Sequence, residues 1–416
     1  MTEKPTSGPA RWAASVSPSR RQVLFRRPRR RLRANLTQLI YALAGVLLGL
    51  CAPLLPDSPG IDSARLATFL FTVGFGVVSL ASIIFSLLFL VVQFASSTFT
   101  PRLALFRDDP IVWRTFAFAV GVFVFTITAG LAISGEPRTS LLVPAFTGLL
   151  ILVTLALMRT LQIRAFSSIQ LAPCLYAISA GTRAIFDSIY THPLGDDPAP
   201  PHEPLGARAT IGWDGRPAVL QQLDVSALVE TARARGSVIV MRTPIGAPLF
   251  TGQILAETTG PGIPEREVLR QVVTGPERSF DQDPSLGFRL LADIALRALS
   301  AAINDPATAV QALDQVEDLL SRIGDRELDI GRITDERGDV RLVLPLPRWE
   351  DYLATALDDV IVAAQGSPMT LQRIRSLLLR LAEEVPESRR PSLRVRLVRV
   401  EDALGERFPW AVRAKP

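Results

Sequence analysis

The stretch from Leu66 to Ala95, LATFLFTVGFGVVSLASIIFSLLFLVVQFA, runs for thirty residues without an Asp, Glu, Lys, Arg or His. At 1.5 Å of rise per residue a helix of this length reaches roughly 45 Å, well beyond the ~30 Å hydrocarbon core of a bilayer. Such a helix must tilt or project into the cytoplasm, and Gln93-Phe94-Ala95-Ser96-Ser97 is the projecting end. Three more apolar stretches are long enough to span: about Leu36 to Leu55, Ile111 to Ile133, and Leu141 to Leu161. The overall balance agrees, with 48% hydrophobic residues, 20% charged residues and a mean hydropathy of +0.27. Soluble domains are nearer a quarter charged.

Within the long span, Thr72, Ser79, Ser86, Gln93 and Thr100 recur every seven residues, and Ser82 and Ser96 flank the same face. At 3.6 residues per turn this draws one polar stripe along a helix otherwise built of Phe, Leu, Ile and Val. Thr72, Ser79, Ser82, Ser86, Gln93 and Ser96 are therefore candidates for lining a pore in an oligomer. The competing reading is helix packing, because Gly74, Gly76 and the serines are small enough to let helices approach closely. No ionisable residue lies in the middle of any span, which disfavours a proton-coupled carrier but not a weakly selective or hydrophobically gated pore.

Charge sets the orientation. Residues 1–35 carry ten basic groups against one acid, whereas residues 166–416 carry twenty-eight against thirty-four. Arg20, Arg21, Arg26, Arg27, Arg29, Arg30, Arg31 and Arg33 precede span one. Arg102, Arg107 and Arg114 follow span two, and Arg159 and Arg164 close span four. The other two loops hold only Arg65 and Arg138, beside Asp57, Asp62 and Glu136. The positive-inside rule then predicts a multi-pass protein of the cytoplasmic (inner) membrane with both termini cytoplasmic. The arginine tail is expected to touch anionic lipid. Ser19-Arg20-Arg21-Gln22-Val23-Leu24 resembles a twin-arginine export signal, but six more arginines precede the apolar run and no small-residue cleavage site follows it.

Several function classes drop out on composition. The sequence pI near 9.7 comes from the tail and is not the mark of a nucleic-acid-binding domain. Two cysteines and two histidines exclude a disulfide framework and speak against a protein-built metal site. Only Lys4 and Lys415 are lysines, which speaks against Schiff-base chemistry, a P-loop and a lysine-linked carrier. No cofactor motif is present.

After the spans, the segment from Pro193 to Gly206 reads as a proline-rich linker flanked by His192 and containing His202. Ala218-Val219-Leu220 and Ser237 to Arg242 read as strands. Between them Asp224 caps a helix that Gly236 ends. The run Pro244 to Leu255, with Gly246 and Gly252, looks like the glycine corner of a barrel-sandwich module. Asp283-Pro284 and Asp305-Pro306 each combine an N-cap with proline at the first helical position. The first of these helices stacks Arg289, Asp293 and Arg297 beside an apolar row of Leu286, Leu290, Ile294 and Ala298. Arg289, Asp293, Arg297, Asn304 and Asp305 form a candidate cytoplasmic polar cluster, read either as an anion or ligand site at facing helix ends or as a capped helical hairpin. Val340 to Leu346 reads as a strand, followed by helices at about Trp349–Ala364, Thr370–Glu384 and Glu387–Arg407.

Two segments carry a family resemblance. One is Gln93-Phe94-Ala95-Ser96-Ser97-Thr98-Phe99-Thr100-Pro101-Arg102-Leu103. The other runs from Asp293-Ile294-Ala295-Leu296-Arg297-Ala298-Leu299-Ser300 through Ile303-Asn304-Asp305-Pro306-Ala307-Thr308-Ala309. Both resemble a bacterial family of predicted membrane proteins catalogued as a domain of unknown function, and the spans, linker and helical end follow in that family's order. The resemblance implies an inner-membrane location and supplies no catalytic residue. In one departure, Ala301-Ala302 stands where the family pattern places Pro-Gly, so the first helix of the hairpin is expected to run on toward Ile303.

The fold class expected is therefore membrane α-helical, with four transmembrane helices followed by a mixed α/β cytoplasmic domain. Its parts would be a basic tail (1–35), a four-helix transmembrane domain (36–165), and a connecting helix with linker (166–208). A small mixed α/β, barrel-sandwich-like module (209–279) and a mainly helical domain (280–416) would follow. The leading functional expectation is a homo-oligomeric, channel-like or transport-related protein whose cytoplasmic domain senses a ligand or partner. The alternative is a membrane-anchored scaffold or regulator that binds a cytoplasmic partner. An enzyme ranks below both, because the charged cluster lacks a nucleophile or metal.

Overall fold

The computed structural model describes residues 30–55, 60–98, 110–168, 170–195 and 208–412. The arginine tail up to residue 29, Thr100, and the linker 196–207 with His202 lie outside the described residues. The chain forms two compact units, divided between Cys174 and Leu175.

Four long helices build the first unit: α1 (Arg30–Leu50), α2 (Ser63–Thr98), α3 (Pro110–Ile133) and α4 (Leu142–Ser168). Each contains a stretch apolar and long enough to cross a membrane: Thr37–Leu54, Ser63–Leu90, Ile111–Ile133 and Leu142–Arg164. α3 is the central helix, with 50% of its span buried against 17–22% for the other three. Glycines bring backbones together around it. A Cβ on Gly45 would stand 2.4 Å from the Gly121 carbonyl oxygen, and one on Gly49 would meet Thr128 at 2.7 Å. Only small residues permit helices to approach this closely. Several buried hydroxyls on these helices satisfy themselves locally, Thr115 on α3 being an exception. Thr147 Oγ1 donates to the Val143 carbonyl at 2.8 Å and Thr154 Oγ1 to that of Leu150 at 2.7 Å. At one end a short ladder joins β1 (Gly60–Asp62) to β2 (Arg138–Ser140), with Ser63 and Thr139 hydroxyls 2.6 Å apart. The first and third inter-helix loops therefore lie on the same side. Asp62 starts α2 by accepting the Arg65 N–H at 2.9 Å.

The helix α5 (Leu171–Ile189) leads into the second unit. Two sheets follow. The larger runs in the order β3 (Arg208–Gly212), β7 (Ile254–Thr259), β5 (Val238–Met241), β10 (Val340–Val343) and β9 (Arg332–Thr334). The smaller places β4 (Ala218–Leu223) between β6 (Pro248–Leu249) and β8 (Val272–Gly275). Helices α6 (Val225–Ala234) and α7 (Glu265–Leu269) accompany the sheets, and one core of Leu220, Leu228, Ile239, Leu255, Val268 and Leu342 fills the space between them. Asp224 caps α6 through the Ala227 N–H at 3.1 Å, and Gly236 follows it at φ +59. Gly246 and Gly252, at φ +87 and +85, make the two tight turns between β5 and β7. Because β10 pairs parallel with β5, residues beyond 280 belong to the same sheet as the preceding segment.

The helical part consists of α8 (Leu286–Ala298), α9 (Pro306–Ile323), α10 (Trp349–Leu353), a π-turn (Ala354–Asp358), α11 (Asp359–Ala363), α12 (Pro368–Glu384), α13 (Arg390–Arg407) and the short α14 (Pro409–Val412). Leu286, Leu290, Ile294 and Ala298 are all buried, as their spacing requires.

Two helix boundaries differ from the sequence reading. α8 begins at Leu286 instead of after Asp283, because Arg278 engages both oxygens of the Asp283 carboxylate, at 2.6 and 2.8 Å. One of these oxygens also accepts the Ser285 N–H at 3.1 Å. α8 also ends at Ala298 and does not run on to Ile303. The Asp305 N–H returns to the Ala298 carbonyl at 2.8 Å while Asp305 caps the next helix, which pins the chain into a turn through Asn304 at φ 48. Asparagine is among the few residues that tolerate this left-handed conformation.

Candidate functional site

The stripe on α2 lies on the outside of the first unit. Leu66, Leu70, Val77, Ala81, Ile84 and Leu88 form the buried face of the helix, whereas Thr72, Ser79, Ser82, Ser86 and Gln93 are exposed. At about 100° per residue the two rows are centred on opposite sides of the helix. Gly74 alone of the small residues proposed for packing is pressed against another helix, its Cβ position 2.3 Å from Thr126 Oγ1, while Gly76 has nothing within 4 Å. Neighbouring exposed side chains are large and apolar, among them Phe75, Ile83, Leu87 and Phe89. Three of the hydroxyls donate to the carbonyl one turn earlier. These are Thr72 to Thr68 at 2.8 Å, Ser82 to Val78 at 2.9 Å and Ser86 to Ser82 at 2.9 Å. Their donors are thus satisfied, and a lone pair on each remains available outward. Ser96 lies on the last turns of α2.

The polar cluster of the second unit divides into two parts. Arg289 donates to Asp293 from Nε at 2.8 Å and through a second nitrogen, and reaches Asp359 on α11 at 3.4 Å. These bonds, chiefly those donated to Asp293, hold the Arg289 guanidinium more firmly protonated than usual, against the opposing effect of burial. Asn304 and Asp305 occupy the exposed turn between α8 and α9. The Asp305 carboxylate accepts Thr308 N–H at 3.1 Å and Thr308 Oγ1 at 2.7 Å. The Thr308 hydroxyl first, and then the backbone amide, keep this carboxyl below its usual range. An ionised capping carboxylate is a poor general acid. Ser300 Oγ bonds to the Arg297 carbonyl at 2.7 Å, closing the last turn of α8.

Polar networks that sequence reading missed are more deeply set. Arg396 on α13, with 4% of its side chain exposed, donates to both oxygens of Asp358 at 2.6 and 2.9 Å and to Glu350 at 2.8 Å. Burial works to lower its pKa, but the bonds to Asp358 and then Glu350 outweigh it and raise the value. Arg389 donates to the Ile323 and Arg326 carbonyls, each at 2.6 Å, and stacks 5.2 Å over Trp349. It thereby caps the C-terminus of α9 with a cation. The sequence held a signal for Arg396, since it falls in the apolar row Leu393, Val400 and Leu404 of α13. An arginine in such a row demands a buried acid. Among the described residues no three His, Cys, Asp or Glu side chains converge to hold a metal ion.

Four membrane-length apolar helices followed by a mixed sheet-and-helix domain define the class: a predicted membrane protein with a large mixed α/β domain. The chain belongs to the family described as "Predicted membrane protein (DUF2254)", whose model matches residues 33–380. It is similar to an uncharacterised protein of Mycobacterium tuberculosis (strain H37Rv), with 30% identity over 373 residues that cover 85% of this chain and 69% of the relative. An uncharacterised protein of Mycobacterium bovis is similar to the same extent, 30% over 373 residues with the same coverage. No solved structure matches the chain.

Proposed function

We propose that the chain is a homo-oligomeric, channel-like or transport-related protein of the cytoplasmic membrane, with both termini cytoplasmic. In this reading α2 lines or gates the path, the second unit senses a cytoplasmic ligand or partner, and the arginine tail rests on anionic lipid. One observation carries it: the stripe of Thr72, Ser79, Ser82, Ser86 and Gln93 points away from the other helices of its own chain. In a lone chain such a stripe would face hydrocarbon, whereas in a ring of copies it can face a lumen. The test is ion or solute flux through the purified protein in liposomes. Ser79→Leu and Ser86→Leu, two interior positions of the stripe, are the variants. Flux abolished by either supports the path. Silence under voltage, tension and pH change sinks it.

A second reading is favoured by the hydroxyl bonds to preceding carbonyls, because a stripe whose donors are satisfied can face lipid at little cost. The spans would then only anchor, and the second unit would act as a scaffold or regulator. Stoichiometric co-purification of a soluble partner, together with absent flux, is its expected signature.

A further inference from the structure

The face of α13 turned to solvent is self-complementary. Val395 and Val398 sit at its centre, 55% and 51% exposed, although both are apolar. Arg390 and Arg394 occupy the N-terminal half of the exposed surface, and Glu401, Asp402 and Glu406 the C-terminal half, where Arg399 and Arg407 are also exposed and line the neighbouring cleft together with Asp402 and Glu406. We infer that α13 pairs with α13 of a second copy of this chain, antiparallel and centred on Val398.

The spacing supports this occupant over any other. Arg394 stands four residues before Val398, and Glu401 and Asp402 three and four residues after it. In an antiparallel pair each Arg394 therefore comes level, at roughly 6 Å from the centre, with both carboxylates of the other copy. Arg390 comes level with Glu406 in the same way. Gly405, exposed and without a side chain, comes level with Pro391 and leaves room for close approach. A parallel pair would set arginine against arginine and acid against acid, so charge selects the direction. A two-fold interface demands that one patch complement itself, and this one does. Glu401 is already 2.9 Å from Arg375 on α12 and accepts a second guanidinium through its other oxygen. Beside this face lies a cleft of about 300 Å³ whose lining includes Ile361, Val362, Arg399 and Ala403. Val362 is 68% exposed there, a second apolar surface for the facing helix to cover.

The inference rests on the oligomeric part of the proposed function and is independent of conduction. Its test uses the full-length chain in lipid nanodiscs, in a Cys51→Ser background that leaves only the buried Cys174. Val398→Cys, next to the two-fold axis, is expected to give a covalent dimer on mild oxidation. Met369→Cys, on an exposed position of α12 away from this face, is expected to give none. Arg394→Glu should weaken the Val398→Cys dimer by about fivefold, and adding Glu401→Arg with Asp402→Arg should restore it. A Val398→Cys protein that stays monomeric and open to maleimide overturns the pairing. So does a dimer indifferent to Arg394→Glu, or one that the compensating reversal fails to restore. A cross-linked dimer that carries no flux leaves the pairing standing and removes the channel.

Discussion

Tyr190 and Tyr352 form a buried contact between the start of the second unit and its helical part. Both are fully buried, their hydroxyls lie 2.7 Å apart, and Phe186 and Phe288 pack around them. One proton sits between the two oxygens, so each hydroxyl has the other as its partner. Tyr190→Phe or Tyr352→Phe removes one and strands the other away from water, which costs about 1–3 kcal/mol. Removing both leaves two phenylalanines of nearly the same shape in an aromatic site, a change close to neutral. The two single variants should each lose about 2 kcal/mol and the double variant less than about 1, a coupling of about 3 kcal/mol or slightly more. Hydrogen exchange at α5 and α10 in the full-length protein, followed by mass spectrometry, reads this as the opening free energy. A double variant that costs the sum of the singles would refute the reasoning. There is also a pH signature. Burial pushes Tyr190 up to about 12 from an ordinary value of 10.0, and Tyr352 also well above that value. The unfolded chain gives up these protons first. Stability is therefore fully present below about pH 10 and is lost as pH rises toward about 12, and the double Phe variant should flatten that loss.

Gly45→Val places methyl groups where the Gly121 carbonyl already stands, 2.4 Å from the Cβ position. It should destabilise the α1–α3 contact by about 1–3 kcal/mol or more, seen as a lower melting temperature in detergent, while Gly76→Ala, with nothing within 4 Å, should not; equal effects would remove the close-packing argument. Burial raises the Glu317 carboxyl, but hydrogen bonds from Arg380 and Arg373 outweigh it and hold the pKa below its ordinary value. The contribution of Glu317 is therefore complete above about pH 4.3 and is lost as pH falls through the lower folded value. Glu317→Gln should cost about 1.5–3 kcal/mol at neutral pH and erase that part of the acid loss; an unchanged acid profile would count against it.

The membrane half was legible because its rule is local: a bilayer demands about twenty apolar residues in a row, and four runs supply them. Helix grammar was equally plain at Asp224 and Asp305, where a short polar side chain binds an amide three residues on. It failed at Asp283, because a more distant residue, Arg278, claimed the carboxylate. The strand from Val340 was legible but its place in the sheet was not, because its partner β5 lies about a hundred residues earlier, and the short edge strand β9 beside it was not read at all. The partners of Arg396 and Arg389 were hidden in the same way, since Asp358, Glu350 and the Ile323 and Arg326 carbonyls come from elsewhere in the chain. Of the candidate site, periodicity revealed that the polar residues of α2 share a face. It could not reveal which way that face points, because Gly74 and Ala81 offer the neighbouring helices as good a contact as Ser79 does.

The direction of that face narrows what the stripe can mean. Had Ser79, Ser82 and Ser86 been buried beside α3, small-residue packing within the chain would have explained them fully. They are exposed, and the packing role falls to Gly74, Gly45, Gly49 and Gly121. The stripe then answers to something outside the single chain, either lipid or another copy. The two differ in what a large side chain does. On a lipid-facing surface Ser79→Leu exchanges an exposed hydroxyl for hydrocarbon among hydrocarbon, so neither assembly nor stability should fall. On a helix–helix or lumen surface the added volume meets atoms, and association or flux must fall with it. Oligomer size of Ser79→Leu in nanodiscs, measured beside its flux, separates a path from an anchor even when conduction itself is too slow to record.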